Sequence, residues 1–383
     1  MKKARLMAGI PALNAGLYRR IRFLVGDPVA LVEIQDGSES TSTLILRDIE
    51  VGRAKQSANA DRVACPADFA PQGGLSGDRE TATAQSAAEL VRRTGCNEVT
   101  ADRSLPLIFS EMMTRAGITV RCDTEWGVVE RRQKDESEIA AIKYAQQQTE
   151  EVMRMACQTI ARASVGSDRV LMLDGQRLTS ERIQTMIDVW LLERGFSNPG
   201  SIVAGGPVGA DCHDHGHGPL RTEESIIVDI FPRDKKSLYN GDCTRTVVHG
   251  NIPHEVSRMH AAVVKAKADA TKAVRAGVTG ESVHAATSRS MRSSGFEMGF
   301  PPEGSPDSFA TMPHGTGHGL GLEVHEPPLL AAGGPVLLIG DVVTIEPGLY
   351  CKAFGGVRVE DMVVVTNDGC VNLNSLPEGL DWK

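Results

Sequence analysis

The chain has 383 residues, 41% hydrophobic and 23% charged, with a formal net charge of −8 at pH 7. That length exceeds what one hydrophobic core ordinarily serves, so two domains are expected, and the composition excludes global disorder. The negative balance also argues against nucleic acid or an anionic membrane as partner, since both reward clustered Lys and Arg.

The N-terminus runs Met1-Lys2-Lys3 into a short apolar stretch broken by Arg5 and Pro11, a poor signal peptide. No run reaches the 18 or so apolar residues that a membrane span requires, so no membrane partner is expected and the cytoplasm is the expected location. From Ile21 to about Ile49, β-rich runs (Arg22–Val25, Ala30–Ile34, Thr43–Leu46) alternate with turn residues such as Gly26-Asp27-Pro28, which predicts a small sheet. Helical spacing follows over 82–95 and 105–116, then a strand at Ile118-Thr119-Val120. An α/β N-terminal domain over residues 1–130 fits.

Asp135, with Glu138 three residues on, reads as a capping box opening a long helix that closes at Val165-Gly166. A second helix, with Ile183, Ile187 and Leu191 on one face, stops at Gly195, and strands follow at Ser225–Ile230 and Thr244–Val248. The same order then repeats. Helices over 255–276 and about 281–294, a stop at Gly295, and strands at Val342–Ile345 and Val357–Val364 make residues 131–383 two αα-then-ββ halves related by a pseudo-two-fold.

The chemistry gathers at the strand ends of this repeat. Asp229 ends one apolar strand and Asp242 opens the next, so a hairpin brings two carboxylates together. Buried acids are costly unless paired or metal-bound, although each alone also reads as a surface turn cap. Between Pro313 and Pro327, three of the chain's ten histidines (His314, His318, His325) lie among glycines at 315, 317, 319 and 321. Glu346, in Ile345-Glu346-Pro347-Gly348, and Glu360, in Arg358-Val359-Glu360-Asp361, complete a set of four carboxylates and one imidazole. Such a hard, oxygen-rich set suits two first-row divalent cations better than a structural zinc site. The eight cysteines contain no Cys-x-x-Cys pair and read as reduced thiols. Strand alternation predicts that Cys212 and Cys243 face away from the acids. His249, His254, His260 and His284 read as surface or helix-face residues without a role.

The order Asp, Asp, His, Glu, Glu, with Gly241-Asp242-Cys243-Thr244-Arg245-Thr246, Gly317-His318-Gly319-Leu320-Gly321, Val324-His325-Glu326, Glu346-Pro347-Gly348 and Arg358-Val359-Glu360-Asp361, resembles the pita-bread metallopeptidases. That family includes methionine aminopeptidase, prolidase and aminopeptidase P. The resemblance covers residues from about 131 onward. The first 130 residues share only a general layout with the family's creatinase-like N-terminal domain. The three-histidine spacing is similar to that of the Xaa-Pro branch, and the hairpin between the aspartates is about two residues longer than the family's commonest form.

The resemblance implies a creatinase-like α/β domain followed by a pita-bread catalytic domain that removes the N-terminal residue from Xaa-Pro peptides. It implies Asp229, Asp242, His318, Glu346 and Glu360 as ligands of two divalent metal ions, manganese by family habit, with cobalt, zinc or iron also fitting. A metal-held water would be the nucleophile, Glu346 would shuttle a proton, and His213 and His325 would donate hydrogen bonds at the scissile carbonyl. His215 and His217 stand close enough to His213 to leave that assignment open. His314 and Arg358 would line the substrate pocket, and the commonest assembly would be a homodimer. An amidinohydrolase on the same scaffold, or an inactive protein-binding module, are the alternatives, and the intact ligand set weighs against both.

Overall fold

A computed structural model describes residues 2–383, and the chain divides between Arg131 and Arg132 into two compact units. In the first unit the segment that opens the chain is a strand, Lys3–Gly9, at the heart of a six-stranded mixed sheet. It pairs antiparallel with Val29–Asp36 and parallel with Glu98–Asp102. Helices cover both faces, so the successive side chains Leu6, Met7 and Ala8 are all buried in cores. Leu6 and Ala8 pack with Val32, Val91 and Phe109 on one face, while Met7 packs with Leu17, Leu31 and Trp126 on the other. Beyond the exposed Lys3 and Arg5, Leu6 to Gly9 are buried in succession, so this part of the strand carries no polar alternation.

The expected strand at Arg22–Val25 is not formed. The Asn14 side chain caps a helix, Ala15–Ile21, by accepting from Leu17 N–H, and Arg22 ends it with a left-handed φ of 50°. Helices Arg79–Arg93 and Leu107–Arg115 and the strand Thr119–Asp123 stand close to the spacing-based expectations.

In the second unit the long helix runs Glu136–Ala161. Its Asp135–Glu138 capping box is formed in both directions, satisfying two of the amide groups that a helix start leaves without partners. Ser180–Glu193 packs beside it, and the pair lies over a three-stranded antiparallel sheet of Ser201–Gly205, Ser225–Ile230 and Cys243–Val248. The second half repeats the plan with helices His254–Ala273 and Gly280–Ser293. There the strands form a five-stranded sheet, in which Gly317–Gly319, Val342–Ile345 and Asp361–Val365 are neighbours, and a four-stranded one that holds Gly348–Cys351 and Gly355–Arg358. The strand expected over 357–364 is therefore two strands, and the break between them falls at Val359 and Glu360. This mixed α/β architecture, a smaller sheet unit followed by a pseudo-two-fold pita-bread unit, is the fold class expected from the sequence. Among the described residues no helix is long and apolar enough to cross a membrane.

Candidate metal centre

Strand register brings the acids together. Asp229 lies opposite Thr244 in the antiparallel pair Ser225–Ile230 and Cys243–Val248, which sets Asp242 just before the second strand begins. The connecting hairpin is interrupted by a short strand, Arg233–Asp234, that pairs with Phe196–Ser197, so its extra length is absorbed within the sheet system. In the other half, Ile345 lies opposite Asp361, which places Glu346 and Glu360 just outside the ends of their paired strands. All nine residues singled out from the sequence (His213, Asp229, Asp242, His314, His318, His325, Glu346, Arg358 and Glu360) line one cavity of about 520 Å³. His215 lines it too, while His217 does not and is largely exposed.

Threonines hold two of the acids. Thr244 Oγ1 donates to Glu360 Oε2 at 2.8 Å, and Thr344 Oγ1 donates to Glu346 Oε1 at 3.2 Å. From the long helix, Gln146 grips the Asp242 backbone twice, with Nε2 donating to the carbonyl at 2.7 Å and Oε1 accepting from the amide at 2.8 Å. Sequence reading missed all three. Thr344 does carry a signal, because residues two apart on a strand share a face, whereas Thr244 reaches an acid 116 residues away. Gln146 carries none, since its partner lies in the other half of a helix–sheet contact.

The glycines of the His-rich segment serve strand packing. A Cβ at Gly317 would lie 2.0 Å from the Thr344 carbonyl oxygen, and one at Gly319 would lie 2.4 Å from that of Pro327. The close approach expected there is to neighbouring backbone rather than to a ligand.

The electrostatics are unbalanced. Burial, followed by the charges of Glu360, Asp229 and Glu346, pushes Asp242 well above the ordinary carboxyl range. Burial, then Glu346 and Asp229, does the same to Glu360. Glu346 is raised chiefly by burial, with His314 and Arg358 pulling the other way. Arg358 opposes all three raised carboxylates, and its Nη2 donates to Asp229 Oδ2 at 2.7 Å. Burial works against its charge, but Tyr350, Asp229 and Glu346 outweigh it and hold the guanidinium protonated.

His318 tests whether these residues fit a cation. Its Nδ1 lies 3.1 Å from the Gly319 carbonyl, which only accepts, so Nδ1 carries the proton. Burial lowers its pKa, so the ring is neutral near pH 7 and Nε2 presents a lone pair. That lone pair faces Glu346 Oε1 at 3.3 Å and Asp242 Oδ2 at 3.9 Å. Acceptors aimed at acceptors repel unless a proton or a metal cation lies among them, and a carbonyl-fixed imidazole is the arrangement that metal-binding histidines adopt. One ligand atom each from Asp242, His318 and Glu360 fall within 4.8 Å of one another, and the buried Asp229 Oδ1 has no hydrogen-bond partner. The donor set fits a divalent metal site.

Two expectations need correction. Cys212 lines the cavity instead of facing away, because it follows a turn of 3₁₀ helix, Gly206–Ala210, and strand alternation does not govern it. Cys243 is on a strand and points into the apolar core. His260 and His284 are helix-face residues as expected, each hydrogen-bonded, to the Glu378 carbonyl and to Thr316, whereas His249 is buried and bridges Thr222 and the Ala163 carbonyl. His254 is exposed as expected.

Comparison with known proteins adds the following. The sequence profile of metallopeptidase family M24 matches residues 140–367. A probable dipeptidase PepE of Mycobacterium tuberculosis is 37% identical over 182 residues, covering 47% of this chain and 45% of that protein, so the match spans about half the relative's length. A Xaa-Pro dipeptidase of Pyrococcus furiosus is 28% identical over 226 residues, 58% of this chain and 60% of that one. Among solved structures, X-Pro aminopeptidase from Thermotoga maritima superposes with a TM-score of 0.77 at 23% identity, covering 98% and 96% of the two chains. Prolidase from Pyrococcus horikoshii gives 0.75 at 21% identity, covering 99% and 95%. These two likenesses are likenesses of fold.

Proposed function

The chain belongs to metallopeptidase family M24, and from that premise we propose that it hydrolyses the bond between an N-terminal residue and a following proline, with two divalent cations held by Asp229, Asp242, His318, Glu346 and Glu360. The observation that carries this reading is the neutral His318 imidazole whose lone pair converges with the Asp242 and Glu346 carboxylates. When bound, the cations supply Lewis acidity and make water nucleophilic near neutral pH. With one ordinary charge per carboxylate and one on Arg358, the cluster carries about three excess negative charges, which one divalent ion leaves short of neutral and a pair offsets with room for one further anion.

The remaining steps fall to side chains. Asp229, Asp242, His318, Glu346 and Glu360 would hold the ions. Glu346, accepting from Thr344, would take up the proton of the attacking water and return it to the leaving nitrogen. His213 and His325 would donate to the carbonyl oxygen as it gains charge, and the His325 ring stands edge-on to His318 with centroids 4.3 Å apart. His314 would border the leaving residue. Its Nδ1 lies 2.8 Å from the Gly315 carbonyl and is therefore the protonated nitrogen, so Tyr350 Oη donates to Nε2 at 2.9 Å while accepting from Arg358. We further propose manganese as the resident cation, a homodimer as the assembly and the cytoplasm as the location. The oxygen-rich donor set supports the first.

The test is hydrolysis of Xaa-Pro dipeptides, Xaa-Pro-Yaa tripeptides and Met-Ala-Yaa by chelator-stripped protein, with and without Mn²⁺, Co²⁺ or Zn²⁺. Metal-dependent cleavage confined to the proline peptides is the expected result. Equal rates on Met-Ala-Yaa, or full activity without metal, would overturn the reading.

A further inference from the structure

The two halves of the second unit differ at one connection. In the first half, Phe196–Ser197 and Ser201–Gly205 are joined by three residues, 198–200, whereas in the second half Glu297–Met298 and Thr311–Met312 are joined by twelve, 299–310. That longer connection holds Phe300-Pro301-Pro302-Glu303-Gly304-Ser305-Pro306-Asp307. It is pinned at its base by Gly299 N–H to the Met312 carbonyl and near its end by Ala353 N–H to the Asp307 carbonyl. Against the Gly348–Cys351 strand it encloses a second cavity of about 550 Å³.

This cavity adjoins the metal centre. Cys212 lines both, Pro313 lines the second while His314 lines the first, and Tyr350 walls the second while its hydroxyl reaches His314 and Arg358 in the first. Its walls combine proline and aromatic surface with three carboxylates, Asp211, Glu303 and Asp307, against one cation, Lys352. In the metal cavity, by contrast, Arg358 is the one Lys or Arg among the described lining residues. Four of its five N–H groups are already spent, on Thr244, the Cys212 carbonyl, Tyr350 and Asp229. A dipeptide would place its terminal carboxylate among acids with no disengaged cation to receive it.

We propose that the second cavity binds the part of the substrate downstream of the proline, so that this chain cleaves peptides continuing at least two residues past it faster than shorter ones and prefers a basic side chain there. The inference rests on the proposed placement of the leaving residue beside His314. The surface-exposed Phe300 would stack on the passing peptide, and the excess of carboxylates would select its charge.

The experiment compares kcat/KM of the Mn²⁺-loaded full chain for Ala-Pro-Ala-Arg-Ala, Ala-Pro-Ala-Glu-Ala and Ala-Pro-Ala. The basic pentapeptide is expected to exceed the acidic one by about fivefold, the scale of two exposed charge pairs, and to lose that lead in 0.5 M salt or in a Glu303→Gln, Asp307→Asn double variant. Phe300→Ala, a change at a residue 84% exposed and so without a folding role, is expected to lower the pentapeptide-to-tripeptide ratio. Cleavage of all three peptides at ratios that neither variant changes would overturn the inference and leave the peptidase reading intact. Cleavage of none would instead overturn the peptidase reading. Calorimetric binding of Pro-Ala-Arg-Ala would then still decide the cavity, with equal affinity for wild type and both variants counting against it.

Discussion

Thr244→Val removes one hydroxyl from beneath the metal centre and changes almost nothing else. Thr244 is fully buried, and its Oγ1 donates to Glu360 Oε2 at 2.8 Å while accepting from Arg358 Nε at 3.2 Å. Valine keeps the β-branched shape and the strand preference, so packing is preserved. A buried hydrogen bond to a charged group contributes about 1.5–3 kcal/mol. If that energy acts by fixing Glu360 in its binding orientation, cation affinity falls by about ten- to a hundredfold, the range usual for losing a residue that orients a ligand. The assay is calorimetric titration of Mn²⁺ into chelator-stripped protein, with urea unfolding of the metal-free form as control. Thr244→Ser, which keeps the hydroxyl, is expected to retain most of the affinity. An unchanged Mn²⁺ affinity in a folded Thr244→Val protein would refute the argument that the Thr244 hydroxyl orients Glu360.

Gln146→Leu strands the Asp242 amide and carbonyl in the interior, and at about 1–3 kcal/mol for each lost partner the urea midpoint should drop clearly, with a midpoint equal to wild type contradicting the assignment. Tyr350→Phe deprives His314 Nε2 of its donor and Arg358 of an acceptor; KM for proline peptides should rise several-fold while Mn²⁺ affinity stays within about twofold, since the lost bonds contribute about 1 kcal/mol each and none touches a ligand. In the first unit, Arg92, opposed by burial and helped by Arg93, lowers the Glu89 carboxyl from 4.5 to about 2. A depressed folded pKa stabilises above the unfolded value and loses that contribution as pH falls from 4.5 toward 2. Because the arginines are 58% and 45% exposed, solvent screening leaves about 1 kcal/mol, so the wild-type advantage over Glu89→Gln should be present at neutral pH and shrink steadily in acid.

Local sequence carried the helix at Glu136–Ala161 because its signal is local: the Asp135–Glu138 box and the apolar stripe behind it depend on residues a few positions apart. The ligand-bearing strand ends were legible for a related reason, since an acid at the end of an apolar run is conspicuous wherever it folds. The chain's opening strand was not legible, because Leu6, Met7 and Ala8 are buried in succession on alternate faces and lack the polar alternation that marks a strand. The helix at Ala15–Ile21 was hidden by the same apolar stretch, although Asn14 marks its start. Cys212 was misread because alternation was applied to a turn.

By itself the sequence determined the chemical inventory and its order: two aspartates flanking a hairpin, a glycine-bound histidine and two glutamates at later strand ends, a hard donor set made for divalent cations. Tertiary structure decided which groups share a space. Gln146 reaches Asp242 across 96 residues, Thr244 reaches Glu360 across 116, and Arg358 meets Asp229 across 129, so no window along the chain contains these partners. Only when the sheets of both halves close on one cavity do four carboxylates crowd a single arginine, and that crowding is what a cation bound there would relieve.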